Sequence, residues 1–197
     1  KVISDNYEVV EGSWPKNKNE VVLVLDENNS LSLTTVYELG LKSASEYHNM
    51  MNQLNSGDDV KTDTKKIDYS DVIDRTLKLL PTCDQYVKGD NGHWKYVGDD
   101  VDQINALIDS DKAINLKIVG VVKPVEDADA TPLSSGVGYT RALTNELVDR
   151  AESSEIVTEQ QADKDHNVLN GMTFSPSDDV TKAQDARDYV ASLGVSS

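Results

Sequence analysis

Two apolar stretches decide the fold, Glu20–Leu25 (EVVLVL) and Ile114–Lys123 (INLKIVGVVK). Both have the length of a β-strand and are rich in β-branched residues, and a continuous apolar run is typical of a strand that is buried on both faces. Asp26 follows the first stretch and Pro124 ends the second. Neither approaches the roughly 20 consecutive apolar residues that a membrane-spanning helix needs. The two stretches therefore predict two buried strands.

Helices are predicted where apolar residues recur at three- and four-residue spacing. Thr140 is the expected N-cap of one of them, because a threonine hydroxyl can accept a hydrogen bond from the first helical turn. In another, Val101, Ile104, Leu107 and Ile108 are expected to face inward. The predicted helices are Ser32–Leu39, Ser43 or Ser45 to about Leu54, Asp99–Asp109, Tyr139–Arg150 and Asp179–Leu193.

Shorter strands are predicted around a turn signal. Thr82–Lys88 is expected to pair with His93–Val97 across the turn Gly89–Gly92, since its Asn-Gly pair tolerates the positive φ angles of a tight hairpin. Thr76–Leu80 reads as a further strand, and Asn6–Val10 alternates weakly. The segment from Ser153 to Phe174 is mostly polar and carries no assigned element.

Acidic residues dominate the composition. The 197 residues include 35 acids and 19 bases, which gives a formal net charge of −16. Such a charge repels phosphate backbones and anionic headgroups, and this excludes nucleic-acid binding and a polybasic membrane contact. Residues 145–197 hold 11 acids and 4 bases and are the most acidic part of the chain. We expect this quarter to be a solvated arm.

Motifs of two enzyme classes occur in incomplete form. Ser13-Trp14-Pro15-Lys16, Ser4-Asp5-Asn6 and Lys61-Thr62-Asp63 approximate the three motifs of penicillin-recognising serine enzymes, but their order is wrong and the third lacks its glycine. Gly136-Val137-Gly138 is part of a dinucleotide fingerprint, with Arg141 in place of the third glycine. We interpret this segment as a flexible turn before a helix.

Metal-binding and nucleophilic residues are also unconvincing. His48, His93 and His166 have no partner at metal-ligand spacing, and His93 is expected to face water. Cys83 is the single cysteine and reads as a small, partly buried hydrophobic residue. The segments Asp26–Ser30 and Asp163–Asn167 echo the start of a calcium loop but lack its glycine and its bidentate glutamate. We therefore predict no catalytic, cofactor-binding or metal-binding residues and no cofactor.

Two segments carry a resemblance to a known family. The first is Tyr7–Pro15 (YEVVEGSWP) with Asn17–Leu23 (NKNEVVL), and the second is Leu116–Pro124 (LKIVGVVKP). In this order and spacing they resemble the extracytoplasmic domain of ABC transporter permeases of the MacB and FtsX-like group, the MacB-like periplasmic core domain. Gly136–Thr140 (GVGYT) resembles the version in large permeases of Gram-positive gut bacteria.

The resemblance implies a mechanical role rather than catalysis. It implies a domain excised from between the first and second transmembrane helices of a permease, on the extracytoplasmic face of the membrane, which fits a chain that begins at Lys1. The implied partners are those transmembrane helices, a cytoplasmic ABC ATPase, and a second permease copy or an extracellular protein, peptide or lipid client. Alternatives are a secreted binding or adhesion module and a small hydrolase with an unrecognised site.

The expected fold class is α/β, a small mixed sheet with flanking helices and an inserted subdomain that contains a β-hairpin. We expect Glu20–Leu25 and Ile114–Lys123 to be neighbouring central strands. The predicted parts are a discontinuous core of residues 1–42 and 113–150, an insertion of residues 43–112, and an acidic C-terminal arm of residues 151–197 with a terminal helix. Placement of the two strands in different sheets would remove the basis of the resemblance.

Overall fold

A computed structural model describes residues 5–32, 35–36, 39, 49, 51–53, 55–57, 68–126, 128 and 131–194. The predicted helices over Ser32–Leu39 and Ser43 or Ser45 to Leu54 lie largely outside the described residues. The strands are β1 (Tyr7–Gly12), β2 (Glu20–Val24), β3 (Thr76–Leu79), β4 (Tyr86–Lys88), β5 (Trp94–Tyr96), β6 (Ile114–Pro124) and β7 (Gly136–Tyr139). The helices are α1 (Val101–Ile108), α2 (Arg141–Ser153), α3 (Glu155–Ala162) and α4 (Asp179–Ser192).

The fold is of the mixed α/β class, as predicted, and its main sheet has five strands. Four of them follow the order β1-β6-β2-β7, and β3 also pairs with β6. β2 runs parallel to β6, whereas β1 is antiparallel to β6 and β7 is antiparallel to β2. The prediction that the two long apolar stretches form neighbouring central strands is confirmed.

The core of this sheet lies along β2. All four residues from Val21 to Val24 are buried, and Leu25 directly after the strand is buried as well. Full burial of one such aliphatic side chain contributes about 1.5–3 kcal/mol. A cluster on one face joins Val22 and Val24 to Val122 and Tyr7, and Trp14 and Leu133 pack against it. The Tyr7 hydroxyl donates to Leu133 O at 3.0 Å and accepts from Leu133 N at 2.9 Å.

Two glycines bring β1 and β6 unusually close. Gly12 pairs with Gly120, and Ser13 N donates to Val119 O at 2.9 Å. A Cβ atom on Gly120 would lie 2.2 Å from Ser13 O, and one on Gly12 would lie 2.2 Å from Val119 O. No side chain fits at either position, so the two strands depend on both glycines.

The interpretation of Gly136–Gly138 as a flexible turn is wrong, because these residues belong to strand β7. β7 pairs with β2 from Gly136 opposite Val24 to Tyr139 opposite Val21. A Cβ on Gly138 would lie 3.1 Å from side-chain methyl groups of both Val22 and Val24. The valine side chains occupy the space, and the glycine therefore serves strand packing rather than a turn.

The predicted hairpin is confirmed, with one correction. β4 and β5 form a separate two-stranded antiparallel sheet in which Lys88 pairs with Trp94, and Gly92 has a φ of 79°. Its first strand is shorter than predicted, because Thr82–Gln85 forms a 3-10 helix. Pro81 directly precedes that helix, and its fixed φ favours such a turn over a ladder strand.

Three helices were correctly predicted. Thr140 caps α2, since its hydroxyl accepts from Leu143 N at 3.2 Å, and Leu143 is buried. Val101, expected to face inward, is 71% exposed at the first residue of α1, a helix of little more than two turns. No residue of α4 is buried, although its apolar residues recur at helical spacing. Among the described residues, no helix combines the length and apolarity that crossing a membrane requires.

The chain divides into two units. The first unit comprises Lys1–Leu77 and Asn115–Leu143, and the second unit comprises Lys78–Ile114 and Thr144–Ser197. Residues 145–197 belong to the same unit as the hairpin. The division into a core, an insertion and an arm stays a prediction. The first unit holds most of the main sheet, and the second holds the hairpin with α1, α3 and α4.

Candidate functional site: an apolar groove in the second unit

Helix α3 and the hairpin are joined through one carboxylate. Glu159 on α3 accepts from Lys88 Nζ at 2.8 and 2.9 Å and from Trp94 Nε1 at 2.9 Å. The Lys88 ammonium also lies 5.9 Å from the centre of the Trp94 ring, a distance at which cation–π attraction operates. The hydrogen bonds from Lys88 and then from Trp94 hold the pKa of Glu159 below its ordinary value. This arrangement fixes the hairpin to α3.

The loop that follows α3 is held by Gln160. The Gln160 amide donates to Asp163 O at 2.7 Å and to His166 O at 2.8 Å, and its oxygen accepts from Val168 N at 3.1 Å. Val168 O in turn accepts from Trp94 N at 2.9 Å, which connects the loop to β5. One glutamine thus orders a loop that carries few apolar residues of its own.

An apolar groove of about 500 Å³ opens between these elements. Its lining side chains are uncharged, and they come from the 3-10 helix, β4, α3 and the loop after α3. Leu169 is 42% exposed and Phe174 is 54% exposed at this surface. The apolar lining residues, which define the groove below, are Cys83, Tyr86, Ile156, Val157, Val168, Leu169 and Phe174.

Cys83 contributes to the groove as a hydrophobic residue. It is half-buried, as the sequence predicted. Burial, and next the charge of Asp84, raises the pKa of its thiol. A raised pKa lowers the thiolate fraction at neutral pH, and the thiolate is the nucleophilic form. We therefore interpret Cys83 as an apolar residue that lines the groove.

A second concavity, the histidine cleft, has a volume of about 460 Å³ and lies on the other side of α3. The cleft brings together His93 and His166, which are distant in sequence, with Glu159 and Asp163. His93, expected to face water, is half-buried, and its ring is so close to Gly171 that a Cβ there would lie 2.7 Å from it. Spacing along the chain could not predict this grouping.

Asp163 organises the histidine cleft. Its Oδ1 accepts from Asp165 N and His166 N, both at 3.0 Å, and its Oδ2 lies 3.0 Å from His166 Nδ1. The backbone hydrogen bond from His166 is the main reason that the pKa of Asp163 lies below its ordinary value. The calcium-like segment Asp163–Asn167 is therefore a self-capped turn. No group of three or more His, Cys, Asp or Glu placed to hold a metal ion occurs among the described residues.

None of the remaining motif residues that the structure describes lines either concavity. Ser13 and Lys16 lie in the connection between β1 and β2, where Lys16 N donates to Glu20 Oε2 at 2.7 Å. Asp26 Oδ1 accepts from Asn28 N and Ser30 N, so the first calcium-like segment is also a self-capped turn. Ser4, His48 and Lys61–Asp63 lie outside the described residues.

The lining of the groove is uncharged, but the unit that contains the groove is acidic. The second unit contains 18 acids and 8 bases, a formal net charge of −10. Four of its bases are already paired with acids of the same unit: Lys78 with Asp109, Lys88 with Glu159, Arg150 with Asp84, and Lys182 with Asp179. The uncharged groove therefore belongs to a unit with a strongly negative net charge.

Sequence reasoning missed the groove because its lining residues come from three separated segments. Helix α3, which forms one wall, has no helical pattern of apolar residues, since Ile156 and Val157 are its only large apolar residues. The available signal was propensity: glutamate and glutamine are good helix formers, and α3 contains four of them.

In comparisons with known proteins, no protein-family model, no curated protein and no solved structure matches the chain.

Proposed function

We propose that this chain is the non-catalytic extracytoplasmic domain of an ABC transporter permease of the MacB and FtsX-like group. One observation carries the proposal: every segment on which the resemblance depends lies in one part of the main sheet. Tyr7–Leu23 contains β1 and all but the last residue of β2, Leu116–Pro124 is most of β6, and Gly136–Thr140 contains β7. These four strands are consecutive neighbours in the order β1-β6-β2-β7.

The proposed role is mechanical coupling. A cytoplasmic ATPase drives the transmembrane helices of the permease, and this domain moves with them on the extracytoplasmic face of the membrane. A sheet that buries all of Val21–Val24 transmits such motion as a rigid body, since close-packed interiors deform little. The apolar groove is the surface that engages a client outside the cell, and a second permease copy is a further partner.

Localisation in the source cells tests the proposal. An antibody against this chain should label intact cells, should follow the membrane fraction, and should co-purify an ABC ATPase from detergent extracts. Protease added to intact cells should remove the epitope. Recovery of the epitope from the cytoplasm, or from membranes without any ATPase, would refute the permease assignment.

A secreted binding or adhesion module is the second candidate, because the apolar groove needs no transporter in order to bind a partner. The same experiment separates the two candidates. A secreted module accumulates in the medium at its full length and is absent from the detergent extract of the membranes. A permease domain stays with the membrane and enters that extract.

A further inference from the structure

We propose that the apolar groove binds a basic peptide segment through one or two apolar side chains. This inference adds the chemistry of the client to the proposed function. It rests on the proposed function only because it calls the ligand a client. Three features support it: the shape of the groove, the exposure of its anchoring residues and the charge around it.

The shape fits side chains rather than a broad protein face. A volume of about 500 Å³ is within the range of about 300–1,000 Å³ that is typical of pockets for small ligands. Two aromatic residues also line the groove, Tyr86 on β4 and Phe174 after the loop. A groove of this size accommodates an aromatic or aliphatic side chain and the backbone on either side of it.

The exposed apolar residues lie where an anchor would bury them. Leu169 is 42% exposed and Phe174 is 54% exposed, and both line the groove. A few residues that fill desolvated pockets, aromatic residues prominent among them, supply most of the binding free energy at protein interfaces. The groove itself has no charged lining residue, so the anchor of the ligand is apolar.

The net charge of the second unit selects the rest of the ligand. The second unit has a formal net charge of −10, and four of its eight bases are held by acids. Lysine and arginine residues that flank the anchor are attracted by this potential, which accelerates association and raises affinity at low ionic strength.

The same charge disfavours other occupants. An anionic lipid headgroup beside the groove would be repelled, and a second copy of this unit carries the same net charge of −10. A neutral apolar molecule would gain binding free energy from contact with the apolar lining but not from the negative electrostatic potential. A basic peptide with apolar residues is the ligand that gains from both.

The test uses three synthetic peptides of equal length and the chain as it exists. The first alternates lysine and phenylalanine, the second replaces each lysine by glutamate, and the third replaces each phenylalanine by serine. Titration calorimetry and NMR chemical-shift mapping measure binding. We expect the first peptide to bind at least tenfold more tightly than either control, with shifts that centre on Leu169 and Phe174. We also expect its affinity to fall several-fold between low salt and about 0.3 M salt, where screening is strong.

Matched variants locate the binding. The double variant Leu169→Ser with Phe174→Ser should weaken the first peptide about tenfold or more, equivalent to about 1.4 kcal/mol. The control double variant Val180→Ser with Val190→Ser removes two exposed apolar residues of α4, outside the groove, and should leave the affinity within about twofold. Circular dichroism spectra identical to those of the parent protein establish that both variants fold.

Three outcomes would overturn the inference: equal binding of the glutamate peptide, an unchanged affinity in the groove variant, or no binding of the lysine–phenylalanine peptide. Tighter binding to anionic or zwitterionic vesicles than to the peptide would assign the groove to lipid instead. None of these results bears on where the protein resides in the cell, so a failure here is distinguishable from a failure of the proposed function.

Discussion

Replacing Gly120 by alanine should strongly destabilise the first unit. The added Cβ would lie 2.2 Å from Ser13 O, whereas ordinary contacts begin near 3.4 Å, so strand β1 must move by more than 1 Å. The obstacle is a backbone oxygen next to Gly12, and a backbone atom cannot rotate away as a side chain can.

We expect the Gly120→Ala variant to lose about 3 kcal/mol of unfolding free energy, at the upper end of the range for overpacking. Displacement of β1 also weakens the hydrogen bond from Ser13 N to Val119 O, and one such bond contributes about 1 kcal/mol. Urea unfolding followed by Trp14 fluorescence in a Trp94→Phe background measures the loss in the unit concerned. With a slope near 2 kcal/mol per molar urea, the midpoint should fall by about 1.5 M.

The matched control is Gly138→Ala. Its added Cβ would lie 3.1 Å from methyl groups of Val22 and Val24, which can adjust by a few tenths of an ångström, so the expected loss is about 1 kcal/mol or less. The reasoning fails if Gly120→Ala unfolds at the same urea concentration as the parent protein, or if the two variants lose equal stability.

Three further predictions concern the second unit. Arg150→Met leaves Asp84, whose side chain is only 16% exposed, without the guanidinium that lies 2.7 Å away, and thermal unfolding should show a loss of about 2 kcal/mol. In the folded protein the pKa of Glu159 lies below its ordinary value of 4.5, so its contribution to stability is present above about pH 4.5 and is lost as the pH falls through the folded pKa. The urea midpoint of Glu159→Gln should therefore decrease less on acidification than that of the parent protein. Lys88→Met should reduce the same pH dependence, because it removes the main hydrogen-bond donor to Glu159. Gly92→Ala meets no neighbouring atom, so only its φ of 79° opposes the change. A loss of about 1 kcal/mol in urea unfolding followed by Trp94 fluorescence, in a Trp14→Phe background, would agree with backbone strain alone.

The central strands were predictable because their signal is local. Val21–Val24 and Ile118–Val122 are continuous apolar runs, and such runs are stable only where both faces are covered. The hairpin turn was equally local, since Asn91-Gly92 encodes its own backbone conformation. Sequence patterns of this kind identify elements without any knowledge of their neighbours.

β7 and the apolar groove depend on neighbours and could not be predicted. Gly136 and Gly138 suggest a turn when read alone, and only the side chains of Val22 and Val24 explain why a glycine occupies position 138 of the strand. The groove likewise requires Tyr86, Ile156 and Leu169 to meet, and nothing in their separate segments indicates that meeting. Long-range packing decides both features.

The position of the acidic residues changes what the charge of this chain means. Read from the sequence, the excess of acids in residues 145–197 suggested a solvated arm, where charge serves solubility alone. Helix α3 and the loop after it place part of that acidic segment in the walls of an uncharged apolar groove. A solubility role places no demand on where apolar side chains lie, whereas Leu169 and Phe174 remain exposed in the most acidic unit of the chain. An exposed apolar surface inside a field of one sign discriminates among ligands by charge, and we infer that this discrimination, rather than solubility, is what the acidity of the second unit provides.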